Sequence, residues 1–322
     1  MQKHLELLPA EEYYNQLIQK LRQASDRIVV CAMTVEFGPK LGVLLDLIDE
    51  ALARNVKVEM VFDSYSLSRL REGQLWKNQT SNETVISLKT LKNKGAVLTF
   101  VGKVGANPFA HRMHIKAMVI DDDLYAFGGL NFKDVSFEHQ DYMIHSTDQM
   151  LLNRCLEVIK KVKSGEDLPD KTYRISPNES ILFDGGIPGK SLIYETACRL
   201  AEEAEEIVFV SRMSPGGRLA KTLAQKTSRL YFNRPSAAHF PTNLSIVVDS
   251  VFSGLHNDYK SDTYLHSKFM LFRNKNGNKY FLSGSHNFSW LGVKFGTKEM
   301  ALLSTDEYLW NMLWEYSNTL DS

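Results

Sequence analysis

Apolar positions along the chain switch repeatedly between a helical period of about 3.6 and a strand period of two. The segments AEEYYNQLIQKLRQAS (10–25) and LGVLLDLIDEALARN (41–55) read as amphipathic helices, and RIVVCAMTV (27–35) and VKVEMVFD (56–63) as strands. A further helix, ETVISLKTLKNKG, stops at Gly95, and the strand-like runs AVLTFV, HIKAMVID, LYAFGGLN and DYMIHST follow. The same order then recurs. GKSLIYETACRLAEEAEE predicts a helix, IVFVSRM a strand, GGRLAKTLAQKTSRL a helix and LSIVVDS a strand. The strands YLHSKFMLFR, KYFLSGSHNFS and EMALLST and a closing helix, DEYLWNMLWEY, complete the second copy. This alternation predicts an α/β fold of two pseudo-symmetric α/β/α halves with mixed, largely parallel sheets. The halves are expected at 1–163 and 179–322, joined by a polar linker at 164–178 that carries Pro169 and Pro177.

Composition changes this picture little. In 322 residues, Lys plus Arg and Asp plus Glu are equal at 38 each, so no global field advertises nucleic acid or an acidic membrane. Cys31, Cys155 and Cys198 are scattered and read as reduced packing residues of a cytoplasmic protein. The first residues carry acids where a signal peptide would have its apolar stretch, and no run approaches the roughly 18 apolar residues of a spanning helix. A soluble protein is expected, with any membrane contact peripheral.

The chemistry lies in HIKAMVID. His114 and Lys116 are two positions apart and share one strand face, an odd pair for an apolar core strand. His266 and Lys268 repeat the pair in LHSKFMLF. Each is followed by a Gly-x-x-Asn turn, Gly128 to Asn131 and Gly284 to Asn287, and then by an acid at a strand start, Asp141 and Glu299. His111 precedes His114 by three, but i and i+3 point to opposite faces of a strand and no carboxylate or cysteine cluster adjoins them, so no metal site is expected. His139 and His145 flank Asp141 and read as structural.

The paired motifs resemble the phospholipase D superfamily, whose signature is His-x-Lys-x4-Asp followed by Gly-Ser-x-Asn. His114, Lys116, Asp121, Gly128 and Asn131 match its spacing, and His266, Lys268, Gly284, Ser285 and Asn287 repeat most of it. Within the family, the cardiolipin synthase and phospholipase D-like branch is the most similar. The resemblance implies an active site between the halves, no cofactor and no metal. His114 would be the nucleophile that forms a phosphohistidine, and His266 the general acid. Lys116 and Lys268 would meet the phosphoryl oxygens, Asn131 and Asn287 would donate to them, and Asp141 and Glu299 would orient the imidazoles. Two departures stand out. Arg273 occupies the second motif's Asp position, before a hairpin four residues longer, and Gly129 replaces the first motif's Ser, a hydroxyl expected near the phosphate.

Charge is uneven locally. Six basic residues and no acid lie between Glu83 and Asp121 (Lys89, Lys92, Lys94, Lys103, Arg112, Lys116), and six between Glu206 and Asp249 (Arg212, Arg218, Lys221, Lys226, Arg229, Arg234). These are either solvated faces or an anion-attracting surface. Arg112, Arg212 and His286 are candidate substrate-binding residues. Neutral overall charge and apolar residues near the motifs (Pro108, Phe109, Phe252, Leu255, Trp290, Leu291) favour a phospholipid substrate. The basic windows favour a nucleic-acid diester. A degenerate, non-catalytic phosphate binder is the third reading.

Overall fold

The computed structural model describes residues 5–66, 79–102, 111–234 and 255–321. The chain forms two units. One holds residues 1–126, 130–138 and 142–167; the other holds 127–129, 139–141 and 168–322. The segments Phe127–Gly129 and His139–Asp141 therefore belong to the second unit although they come from the first half of the sequence.

In the first unit, strands β1 (Leu5–Pro9), β2 (Arg27–Ala32), β3 (Val35–Glu36), β4 (Lys57–Asp63), β5 (Val97–Val101), β6 (Ala117–Ile120), β7 (Asp123–Ala126), β8 (Phe132–Lys133) and β9 (Tyr142–Ser146) alternate with helices α1 (Ala10–Gln23), α2 (Pro39–Ala53), α3 (Gln79–Asn93) and α4 (Gln149–Val162). Seven strands make one sheet in the order β1-β9-β7-β6-β2-β4-β5. Strand pleating sorts their side chains. Ile28, Val30 and Ala32 of β2 join a core with Leu17, Leu21, Leu44 and Ile48 of α1 and α2, whereas Cys31 lies near Cys155 of α4. α1 buries Tyr13, Leu17 and Leu21 at a four-residue spacing and carries Glu11 and Glu12 in its first turn and Lys20 and Arg22 in its last, matching the helix dipole.

The second unit comprises β10 (Lys171–Ser176), β11 (Glu179–Gly185), α5 (Leu192–Glu203), β12 (Ala204–Val210), α6 (Gly217–Leu223), β13 (Thr227–Tyr231), β14 (Phe269–Asn274), β15 (Lys279–Gly284), α7 (Trp290–Phe295), β16 (Lys298–Ser304) and α8 (Glu307–Asn318). Its sheet runs β10-β11-β16-β15-β14-β12-β13, which repeats the order from β1 to β4 of the first sheet, adds an edge strand beside the counterpart of β1 and has no counterpart of β5 among the described residues. That strand, β10, lies inside the expected linker, where its exposed, polar side chains suit a sheet edge. Side-chain caps start α4, α5 and α8: Asp148, Ser191 and Asp306 accept from the backbone N–H of Leu151, Tyr194 and Leu309.

Two expectations change. The sheets are mixed, but parallel pairing in them is confined to β2-β4, β4-β5 and β12-β13; the other pairs are antiparallel. These three parallel pairs are joined through helices, while β6-β7 and β14-β15 are hairpins; β3 and β8 form a separate two-stranded parallel pair. The helix expected over 216–230 ends at Leu223, and Thr227–Tyr231 forms β13 beside β12. Pairing with β12 outweighs a weak helical pattern, and Lys226 secures the turn by donating to the carbonyls of Glu202 and Ala204. LSIVVDS lies outside the described residues.

The two units solve one local problem with opposite charges. Ile28 pairs with Ile120 and Ile207 with Phe272, so Arg27 and Asp121 correspond to Glu206 and Arg273. The Asp121 carboxylate accepts from the N–H groups of Ser25, Asp26 and Arg27 at 2.8–3.0 Å, tying the β6-β7 turn to the start of β2. Burial alone would raise its pKa, but these donors hold it below the usual carboxylate value. In the second unit Arg273 pairs with Glu206 across β14 and β12. Arg273 is thus a replacement brace. Arg273→Asp, which restores the family residue, should cost roughly 1 kcal/mol or less by facing Glu206. Adding Glu206→Arg should return urea stability to within about 0.3 kcal/mol of the native chain. A double variant no more stable than Arg273→Asp would remove the brace.

Candidate functional site

Each His-x-Lys pair lies in the extended segment just before a buried hairpin strand, His114 and Lys116 before β6 and His266 and Lys268 before β14. Neither pair is solvent-exposed. His114 and His266 are buried to a similar degree, and both lysines are almost wholly buried. Each ammonium folds back to donate to the carbonyl of its own histidine. The same two-residue spacing gives the same side-chain-to-backbone bond in both units.

In the second unit the histidine has a full set of neighbours. His266 Nδ1 lies 2.8 Å from Asp141 Oδ2 and 3.1 Å from Lys268 Nζ. Backbone pairing sets this up. Gln140 N–H donates to Tyr264 O, and Gln140 O accepts from the N–H groups of His266 and Ser267, all at 3.0 Å, which brings the next residue, Asp141, beside His266. Ser267 Oγ adds contacts to Gln140 O and the Tyr316 hydroxyl. His139, expected to be structural, has its ring 5.6 Å from that of His266. Burial pushes the Lys268 pKa down to about 7, with Arg212 adding to the shift and Asp141 and Glu299 opposing it.

The first unit's residues are arranged differently. Asn131 Oδ1 accepts from Thr34 N–H at 3.3 Å. Arg112 is held by Asp63, with Nη1 at 2.9 Å from Oδ1 and both side chains buried. His111 Nδ1 lies 3.1 Å from the Asp167 carboxylate. His145 Nε2 lies 2.7 Å from Asp123 Oδ1, as a structural histidine should.

The Gly-x-x-Asn turns explain the missing serine. Ser285 Oγ donates to Glu299 Oε2, so the family hydroxyl is used here on the acid. At the corresponding place Gly129 presents its backbone N–H to Asp141 Oδ1 at 3.1 Å. A Cβ there would stand 2.5 Å from Asp141 Oδ2, 2.5 Å from His266 O and 2.8 Å from Lys268 Nζ. Glycine at 129 makes room for the buried charges. Gly284 is equally confined, its Cβ position 2.3 Å from Met300 O. His286 is buried, not at the surface, and its Nδ1 accepts from Phe288 N–H at 2.8 Å. Burial lowers its pKa, with Glu299 opposing.

Two positioning residues escaped the sequence reading. Asp63 Oδ2 accepts from the N–H of Met113, the residue before His114. Asn233 Oδ1 accepts from the N–H of Leu265, the residue before His266, at 2.9 Å. Asp63 ends β4 and Asn233 lies two residues beyond β13, matching positions after Phe62 and Phe232. The signal was the repeated Phe-Asp and Phe-Asn, obscured by reading 216–230 as helix.

Residues 17–162 match the family model described as cardiolipin synthase, PLD-like domain. This segment is a phospholipase D-like domain. It contains His114, Lys116, Asn131 and Asp141, while the second His-x-Lys copy lies beyond the matched residues. By fold, the chain is similar to phosphatidylserine synthase from Haemophilus influenzae Rd KW20, with a TM-score of 0.71, 13% identity and coverage of 98% of this chain and 85% of that one. It is also similar to polyphosphate kinase from Porphyromonas gingivalis, with a TM-score of 0.65, 11% identity and coverage of 97% and 46%. No curated protein matches by sequence. At these identities the structural likeness establishes a shared fold.

Two outcomes follow from the second motif. Gly129→Ser should displace Asp141 or the backbone at His266, and turnover should drop at least about tenfold, as rearranged catalytic geometry does. Unchanged kinetics in that variant would show that the space is not needed. Lys268 meets an anion only when protonated, so kcat/KM should fall as pH rises through about 7. Its pKa is lowered on folding, so between that value and about 10.5 the unfolded chain binds the extra proton, and this group makes stability rise with pH. A kcat/KM profile flat from pH 6 to 9 would contradict the assignment.

Proposed function

We propose that the chain is a phosphodiesterase or phosphatidyltransferase acting on phospholipids through a phosphohistidine. The observation that carries this reading is the buried His266 imidazole held between Asp141 and Lys268. A carboxylate on Nδ1 stabilises the imidazolium and aims Nε2, which suits a general acid. In the reaction a nitrogen of His114 attacks phosphorus while His266 gives its proton to the departing alkoxide. A P–N bond forms and the P–O bond breaks. Neutral His266 then takes a proton from water or an alcohol, whose oxygen attacks phosphorus and releases His114. Lys116, Lys268, Asn131 and Asn287 stabilise charge on the non-bridging oxygens.

The charges support lipid over nucleic acid. Some of the residues in the basic windows that favoured a polyanion are answered by acids from elsewhere: Lys94 by Asp49, Arg112 by Asp63, Arg218 by Glu195 and Glu202. Pro108, Phe109, Phe252 and Lys103 lie outside the described residues. Trp290, three residues after Asn287, is a large aromatic side chain 47% exposed, the kind that settles at a lipid interface. Among the described residues no helix is long and apolar enough to cross a membrane.

The test is a lipid extract read by mass. With phosphatidylglycerol the expected products are phosphatidic acid and, by transfer to a second lipid, cardiolipin and glycerol; an added primary alcohol should divert the phosphatidyl group to its ester. EDTA should leave the rate unchanged, because the side chains supply nucleophile, acid and cations. His114→Ala and His266→Ala should each abolish turnover, and the double variant should be no worse. Cleavage of a labelled oligonucleotide without any phosphatidyl product would replace the lipid reading with a nuclease. No turnover of either substrate would leave a phosphate binder.

A further inference from the structure

The two half-motifs differ in a way that the shared signature does not describe. By the register that equates Ile28 with Ile207, Met33 in the first unit corresponds to Arg212 in the second. Arg212 leaves the end of β12 on a fixed turn. Its carbonyl accepts from Asn233 Nδ2 at 2.9 Å, and the same amide grips both backbone groups of Leu265, 2.7 Å to the carbonyl and 2.9 Å from the N–H. Asn233 is fully buried. One side chain therefore ties Arg212 to the residue before His266. The preceding residue, Ser211, donates to Asn287 O at 2.8 Å, which packs this turn on the second Gly-x-x-Asn turn.

The side chains gathered here have unused hydrogen-bonding capacity. Arg212 Nε, Ser214 Oγ and Asn287 Oδ1 are buried and have no hydrogen-bond partner among the described residues. Buried polar atoms without partners are costly unless a ligand answers them. Elsewhere in the same window Arg218 pairs with Glu195 and Glu202, and the Nη atoms of Arg229 reach Asn318 and Ser317. In the first unit the equivalent asparagine oxygen is also spent, on Thr34.

We propose that Arg212, positioned by Asn233, contacts the non-bridging oxygens of a phosphodiester at the His266–Lys268–Asn287 half-site, placing a cation where the first unit has Met33. A guanidinium fork suits paired phosphoryl oxygens. The catalytic part of this inference rests on the function proposed above; the anion-binding part does not. Arg212 also lowers the Lys268 pKa, so removing it has an electrostatic signature.

The experiment compares Arg212→Met, which installs the first unit's residue, with Arg212→Lys and with Arg218→Ala as a surface control. Inorganic phosphate binding by calorimetry is the first readout. Arg212→Met should weaken it roughly 10- to 100-fold, the range for a lost charge-assisted hydrogen bond, with Arg212→Lys between. Turnover of bis(4-nitrophenyl) phosphate and of phosphatidylglycerol vesicles is the second. Arg212→Met should lower kcat/KM by a similar factor on both and shift the limb near pH 7 upward, while Arg218→Ala changes neither. Melting curves, with Arg212→Lys as the conservative variant, separate misfolding from lost contact. Native-like phosphate binding in Arg212→Met overturns the proposal whether or not the chain turns over, and a loss on the lipid alone overturns contact with the phosphoryl group. Phosphate binding that depends on Arg212 in a chain that cleaves neither diester upholds the anion site and rejects the phosphodiesterase reading.

Discussion

Everything in the second unit's site follows from burying a carboxylate, an imidazole and an ammonium together. Asp141 and Lys268 are almost wholly hidden from water, and either alone would carry a large desolvation cost. Meeting on His266 Nδ1 offsets that cost. The requirement extends outward. Gly129 must lack a side chain so that the charges fit, Gln140 must pair with the segment around His266, and Asn233 must hold Leu265. Lys268 is left with its proton loosely held, and a bound anion would return it.

Duplication with divergence explains the departures from the family pattern. Asp121 ties a hairpin to the strand beside it through backbone N–H groups, whereas Arg273 does so through a carboxylate on Glu206. What is kept is the tie between β14 and β12, and the charge sign is free to reverse because the pair is partly solvated. Ser285 and Gly129 are a second instance: one reaches its acid with a hydroxyl and the other with a backbone N–H. Both substitutions preserve a contact while changing the group that makes it.

How much was legible divides along contact distance. Periodicity located the strands around both motifs because alternation and apolar runs are local properties. The His-x-Lys spacing put His and Lys on one face for the same reason, and the doubled pattern with Asp141 and Glu299 marked the candidate site. Locality also set the failures. TSRLY read as the end of a helix because nothing within the segment reveals that β12 will pair with it. Arg112, Arg218 and Lys94 read as a basic surface because Asp63, Glu195, Glu202 and Asp49 lie outside their windows. The sequence by itself determined which side chains make up the paired motifs and how they repeat. Tertiary structure alone decided that Asp141 meets His266 from 125 residues away, that Gly129 is confined by that meeting, and that Asn233 holds Arg212 beside it. Those outcomes depend on sheet register and on which buried charges must share one space, and neither is a property of any single stretch of chain.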